Sequence, residues 1–389
     1  MTMMLLSIIP SAPSSGAYFL AGLISLLLLV SVWKVRKYPH KLSNNQIVFA
    51  LFLCLLFYLF PMGGTDFYNY KEWVETTGYK DISSIPQYYL HFEKPYYYII
   101  NIVNNNYFLF RLVVWGGSLF LYWQTAKRLK IDKSTFAFYL CICIVQLTAV
   151  SRVCLAFAIA FYGFSFLAQP IIRKGSNLFS FILGSSIILL SLFFHRSAIF
   201  LLAILPLSLF NFNKKTIWLF ALAIPTIIVM AYTQLFDVIF NFAQTDNSLL
   251  DSETALYYLD SDKIRVFGWG QRIEFSMKYG SHIAMVILIV KSILKNSFKV
   301  WPKHVQKFAN ATLYITVLAS ALLLAPGATT YKTFERLIDF SYVPQSFLLA
   351  YLLKTGCDKK WTEIVTLLLA GYVVYGIFYY NFYFGLTDF

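Results

Sequence analysis

Charge is scarce in this chain. Of its 389 residues only 13% are Asp, Glu, Lys or Arg, while 59% are hydrophobic. A soluble domain of this size needs a larger polar surface, so that class is excluded and the chain reads as a polytopic membrane protein. A mean hydropathy of +0.63 agrees. Acidic residues are scarcer still, 18 against 32 Lys and Arg, which leaves a formal charge of +14. Such a balance also fits a nucleic-acid binder. Here the cations come in short runs between apolar segments, the pattern of the positive-inside rule, so nucleic acid is not expected as a partner. Cysteine is sparse and scattered: Cys54, Cys141, Cys143, Cys154 and Cys357. Four of the five lie in apolar segments, which excludes a disulfide or metal framework. There is no Gly-rich phosphate loop, no GxSxG, no HExxH and no Cys/His cluster, so neither a cofactor nor nucleotide-driven chemistry on the basic side is expected. "MTMMLLSIIP" at the start has no basic n-region and does not read as a cleaved signal peptide. No internal repeat, low-complexity tract or soluble domain interrupts the chain, so residues 1–389 are expected to form a single integral membrane domain.

A spanning helix needs roughly 17–25 apolar residues. Spans are predicted near 17–33, 46–61, 106–125, 134–150, 153–170, 177–193, 197–212, 216–236, 279–295, 308–325, 338–354 and 361–384. The expected fold is therefore all-α with about 12 transmembrane helices. With that count the loops alternate in charge. "KVRKYPHK", "KRLKIDK", "IIRKGSN", "NKK", "KNSFKVWPKHVQK" and "KTGCDKK" carry nineteen Lys and Arg between them. The opposite side carries twelve Lys and Arg against fifteen Asp and Glu. The first side is expected in the cytoplasm, with both termini outside. Two long loops, about 62–105 and 237–278, then face outward. Amphipathic stretches in them, such as "DFYNYKEWVETTGYKDI", are expected to form short helices lying on the outer surface.

The outer side collects Asp66, Glu93, Arg111, Arg152, His195, Arg196, Arg265, Arg272 and Arg336. Ionisable groups at membrane depth are costly, which makes each a functional candidate. Arg152, in "TAVSRVCLAFAIAFYGF", breaks an apolar hairpin on the side that least needs anchoring cations. A guanidinium there suits a bidentate clamp on phosphate oxygens; the plain alternative is an Arg that snorkels to the interface. His195, in "FFHRSAIF", is either a helix cap or a base or donor near a reacting hydroxyl. Arg265 and Arg272 flank Gly268 and Gly270 in "KIRVFGWGQRIEF", where glycine lets backbone turn close to a ligand. Arg336 in "YKTFERLIDF" stands ahead of a span, within reach of an Asp339 pairing. Asp66 and Tyr70 are four apart in "GGTDFYNYKEW", on one face if helical. Glu93 and Tyr97 lie in "HFEKPYYYII", whose aromatics are either an interfacial belt or a stacking surface for sugar rings. "DSD" at 260–262 matches a metal-binding pattern of nucleotide-sugar enzymes; no nucleotide sugar is expected outside the cell, and no metal is assigned.

In order along the chain, "GGTDFYNY", "EKPYYYIINIV", "SRVCLAFAIAFYGFSFL", "FFHRSAIFLLAILPL" and "ERLIDFSYVPQSFLL" resemble the elements of the EpsG-like group of Wzy-type polysaccharide polymerases. F-H-R-S-A with the upstream Arg is the most specific part. Ser151-Arg152-Val153-Cys154 departs from the usual Arg-Gln, and Lys94 is inserted between Glu93 and Pro95. The resemblance implies a GT-C-like helical architecture and a glycosyltransferase that joins undecaprenyl-diphosphate-linked repeat units. It implies action at the outer face of the bacterial inner membrane, among membrane lipids and beside a possible chain-length regulator. On that reading Arg152, Arg272, Arg336 and Arg265 hold diphosphate. His195, Asp66 and Glu93 serve the acceptor hydroxyl, and Tyr70 and Tyr97 meet sugar. An O-antigen ligase shares the donor chemistry, and a flippase for lipid-linked units shares the span count. The modest 237–278 loop and the absence of related halves argue against these two.

Overall fold

The computed structural model describes residues 22–23, 25–26, 29–30, 64–76, 93–131, 151–168, 176–195, 198–210, 217, 229, 269–324, 341–352, 355 and 359–384. Among the described residues there are helices and turns and no strand, in keeping with an all-α fold. The helices are α1 (Gly64–Thr76), α2 (Lys94–Ile102), α3 (Tyr107–Arg128), α4 (Ser151–Ala168), α5 (Ser176–Phe194), α6 (Ile199–Leu207), α7 (Trp269–Leu294), α8 (Lys303–Leu324), α9 (341–352) and α10 (Lys359–Phe384). The spans expected at 46–61 and 134–150 lie outside the described residues, as does the 237–278 loop up to residue 268.

The helices start and stop for local reasons. Pro95 lies in the first turn of α2, where a missing N–H costs nothing. Asn104 and Asn105 follow α2 with φ of 51° and 57°, a left-handed conformation that Asn tolerates. Asn106 then caps α3, its Oδ1 accepting from Leu109 N at 3.0 Å. Lys127 and Arg128 end α3, complementing its dipole on the expected cytoplasmic side.

α4 pairs with α5 in the most extensive helix contact among the described residues, and α3 lies against α4. A Cβ on Gly163 would come within 2.7 Å of the Gly184 carbonyl oxygen, and one on Gly184 within 2.9 Å of that of Gly163. The two backbones therefore touch, a mode of association expected where lipid, not water, surrounds the helices. Aromatic rings fill the next layer. Phe164 of α4 meets Phe308 of α8 at 5.1 Å, and Phe308 meets Phe347 of α9 at 5.2 Å. α7 packs along α10, and α1 touches both α3 and α10.

The outward faces are apolar. α5 exposes Leu178, Phe181, Ile182, Leu189, Leu190 and Phe193 while burying Ser191. That arrangement inverts a soluble surface and suits hydrocarbon. Among the described residues, no helix is long and apolar enough to cross a membrane.

Several elements differ from the sequence expectation: α8 starts at Lys303, five residues before its predicted span, and α6 ends at Leu207, five residues before the predicted end. α7 starts at Trp269, ten residues before the predicted span, because "WGQRIEFSMK" continues the helix with polar residues that hydropathy does not register. The helices inside 62–105 do not simply rest on the surface. Val74, Tyr96 and Ile100 are fully buried, so α1 and α2 pack into the bundle.

Candidate active site

One buried cluster gathers four of the sequence elements singled out above. It holds Tyr70 and Val74 from α1, Tyr96, Tyr97 and Ile100 from α2, Phe110 and Val114 from α3, and Leu155 and Ile159 from α4. Phe194, at the end of α5, packs against it. The Tyr96 ring meets Phe194 edge-on at 6.0 Å and Phe110 at 6.1 Å. Four of the candidates are close in sequence to a member of this cluster. Asp66 is four residues before Tyr70, Glu93 four before Tyr97, Arg152 three before Leu155, and His195 directly follows Phe194. At helical spacing, three or four residues is one turn on one face.

Local structure sets each position. His195 N donates to the Ser191 carbonyl at 3.1 Å, the last turn of α5, and the His195 carbonyl accepts from Ala198 N at 3.0 Å. The backbone thus turns at His195 and holds it at the hairpin tip between α5 and α6. Glu93 is the N-cap of α2, its carbonyl accepting from Tyr96 N at 3.0 Å; its carboxylate does not cap the helix. It stands at the positive end of a helix, where a carboxylate is stabilised. Arg152 is the second residue of α4. Gly117 of α3 faces Leu155, and Tyr122 Oη donates to the Cys154 carbonyl at 3.2 Å. The start of α4 therefore lies beside the middle of α3, and the first turns of α3 extend past Arg152. Asp66 lies in the first turn of α1.

Arg272 belongs to the other half of the bundle, in the first turn of α7. α7 packs on α10, which α1 touches, so the helix carrying Asp66 bridges the two halves. Arg265, Arg336 and Arg196 lie outside the described residues, as do Asp260 and Asp262 of the DSD pattern. Among the described residues no three His, Cys, Asp or Glu side chains gather as a metal site would require.

Tyr70 and Tyr97 are packing residues here, 6% and 2% exposed. Tyr70 holds Trp73 edge-on at 5.7 Å, and the neighbour of Tyr97, Tyr98, is 60% exposed. Two polar residues carry more weight than their sequence context showed. Arg111 of α3 is only 6% exposed and stands 5.9 Å over the Tyr107 ring, beside the cluster. His282 of α7 is fully buried. Its signal was one ionisable residue in the apolar run "YGSHIAMVILIV".

Chemically, the arrangement sets a carboxylate, an imidazole and a guanidinium-bearing helix start around one aromatic cluster. Carboxylate and imidazole accept or relay a hydroxyl proton, guanidinium neutralises an oxyanion, and aromatic faces stack on sugar. No curated protein and no solved structure matches the chain. A family match does exist and covers residues 46–388, nearly the whole chain. It carries, in general terms, membrane-embedded glycosyl transfer of the polysaccharide-polymerase kind, and the chain belongs to the EpsG family.

Proposed function

We propose that the protein extends a polysaccharide from undecaprenyl-diphosphate-linked repeat units at the outer face of the bacterial inner membrane, within a GT-C-like helical fold. The observation that carries the reading is the convergence of the Asp66, Glu93, Arg152 and His195 segments on one buried cluster. In the reaction the bond between the anomeric carbon and the donor diphosphate breaks, and the electron pair leaves with the diphosphate. The acceptor hydroxyl oxygen forms the new glycosidic bond and gives up its proton to a base. Negative charge grows on the leaving group, so fixed cations supply the main stabilisation. Arg152, Arg272, Arg336 and Arg265 meet that need without a metal. His195 aligns the acceptor hydroxyl and takes its proton, while Asp66 and Glu93 hold sugar hydroxyls beside it. Tyr70 and Tyr97 act in sugar binding by fixing Trp73 and Tyr98, whose faces stack on the glycan. A chain-length regulator is a fitting partner for such an enzyme.

The test uses purified protein, a synthetic repeat unit on undecaprenyl diphosphate, EDTA and no nucleotide sugar, with the products sized on a gel. A ladder of glycans is expected from the wild type and none from Arg152→Ala. No ladder from a folded wild-type preparation with its cognate unit would sink the polymerase reading. A ladder that disappears with EDTA would sink metal independence.

A further inference from the structure

A layer of buried polar side chains crosses the second half of the bundle. Ser281 and His282 of α7 and Ser341, Tyr342 and Gln345 of α9 are all 0% exposed. The His282 ring meets the Tyr342 ring edge-on at 4.7 Å. Its Nδ1 is 3.3 Å from Ser281 Oγ, and Gln345 Nε2 donates to Ser341 Oγ at 3.1 Å. Tyr342 stacks in turn on Tyr372 of α10 at 6.2 Å. Gln345 Oε1 is shielded from solvent and has no hydrogen-bond partner among the described residues.

Burying so many polar groups at membrane depth is costly. A layer needed only for packing would be apolar, as it is nearby at Leu288, Leu349 and Leu369. What a polar layer adds is direction. The edge-on His282–Tyr342 ring pair fixes the rotation and register of α7 against α9, whereas aliphatic contacts slide; the two hydrogen bonds, each within one helix, hold the side chains of the layer in place. One of the two helices, α7, carries a candidate cation in its first turn. Arg272 stands ten residues before His282 in α7, roughly 15 Å at 1.5 Å per residue.

We propose that His282 is a positioning residue for glycosyl transfer: its contact with Tyr342, in the layer completed by Ser281, Ser341 and Gln345, sets α7 against α9 and thereby Arg272 at the donor diphosphate. The proposal rests on the reading of Arg272 as a diphosphate ligand. An error of about 1 Å in the position of such a group costs on the order of a hundredfold in rate.

The experiment compares kcat and KM for the lipid-linked repeat unit in His282→Phe, His282→Asn, Gln345→Met, Arg272→Ala and Arg272→Lys, and in the double variant His282→Phe with Arg272→Lys. Phe keeps the ring and its volume but removes both nitrogens. Asn keeps a polar group near the Nδ1 position. His282→Phe should lower kcat roughly ten- to a hundredfold with KM nearly unchanged and the melting temperature held. His282→Asn should recover most of that loss, and Phe should add little on top of Arg272→Lys. Gln345→Met, which alters the layer from the α9 side, should repeat the kcat loss and decides the matter if His282→Phe fails to fold. Wild-type kcat in His282→Phe, or a loss multiplied in full on top of Arg272→Lys, would overturn the positioning role. If Arg272→Ala turns over normally, the diphosphate reading of that residue falls and the proposal with it. If Arg272→Ala is inactive while His282→Phe is unaffected, the positioning role alone falls.

Discussion

At the scale of single residues, the strongest dependence is expected at Arg152. A phosphate clamp uses the planar fork of guanidinium, and an ammonium in its place offers one point charge on a flexible stem. Arg152→Lys should therefore lose most of the turnover that Arg152→Ala loses, on the order of 10²–10³-fold, the usual cost of one transition-state donor. Protein level and melting temperature should stay at wild-type values. If Arg152→Lys elongates normally, charge alone suffices and the bidentate clamp is wrong. Much of this site was legible because residue types with high burial cost stand out in apolar sequence: His195, Glu93 and Arg152 could each be read from their neighbours. His282 was not read, since a lone imidazole in an apolar run carries no sign of its partner. That partner, Tyr342, is sixty residues away. Tyr70 and Tyr97 were legible as aromatics near the site, but not as buried ones. Burial depends on α1 and α2 folding inward, which local pattern does not encode.

At the scale of elements, the close crossing of α4 and α5 ties Arg152 to His195, because both stand at the same end of the pair, at the start of α4 and just past the end of α5. A methyl on Gly163 must displace the Gly184 backbone rather than a flexible side chain. Gly163→Ala should cost roughly 1–3 kcal/mol, as overpacking does. It should depress melting temperature and polymerisation together, and Gly184→Ala should do the same. A Gly163→Ala protein of wild-type stability would mean the helices part without cost. The opposite ends of the helices give a second prediction. Lys307 Nζ donates to the Leu167 carbonyl at 3.1 Å, docking the start of α8 on the end of α4. Burial, then Lys307, then Lys130 hold the His304 imidazole below its ordinary pKa. A histidine depressed in the folded state binds more protons when unfolded, so protonation works against the fold. Its contribution is complete above the unfolded value of about 6.5 and is lost as the pH falls below that, towards the lowered folded value. The melting temperature in detergent should fall across that window, and His304→Gln should flatten the fall. An identical pH profile for His304→Gln would remove His304 as the cause. The helix positions of α4, α5 and α10 were legible within a few residues from hydropathy alone. The polar start of α7 was not, because its helix outruns its apolar stretch.

At the scale of the whole molecule, function depends on which side of the membrane the candidate site faces. Two observations bear on it, both through the positive-inside rule. The basic loops all fall on one side when the spans alternate. Within the fold, Asp66, Arg152 and Arg272 lie at the first turns of their helices and His195 follows the last turn of its own, while Lys127, Arg128, Lys291 and Lys303 stand at the opposite ends of α3, α7 and α8. Candidate chemistry and anchoring charge are thus separated along the helix axes, and under the positive-inside rule the candidate site is expected outside. Lys299, exposed in the short 3₁₀ turn Ser297–Val300, marks the basic side. Asp260, in the long acidic loop, marks the other. In a background with the native cysteines replaced, Asp260→Cys should react with a membrane-impermeant maleimide in cells whose inner membrane is intact. Lys299→Cys should react only after that membrane is opened. The reverse pattern would turn the site towards the cytoplasm. Outward lipid-linked donors would then be out of reach, and the nucleotide-free reaction proposed here would lose its rationale even if Arg152 proved essential.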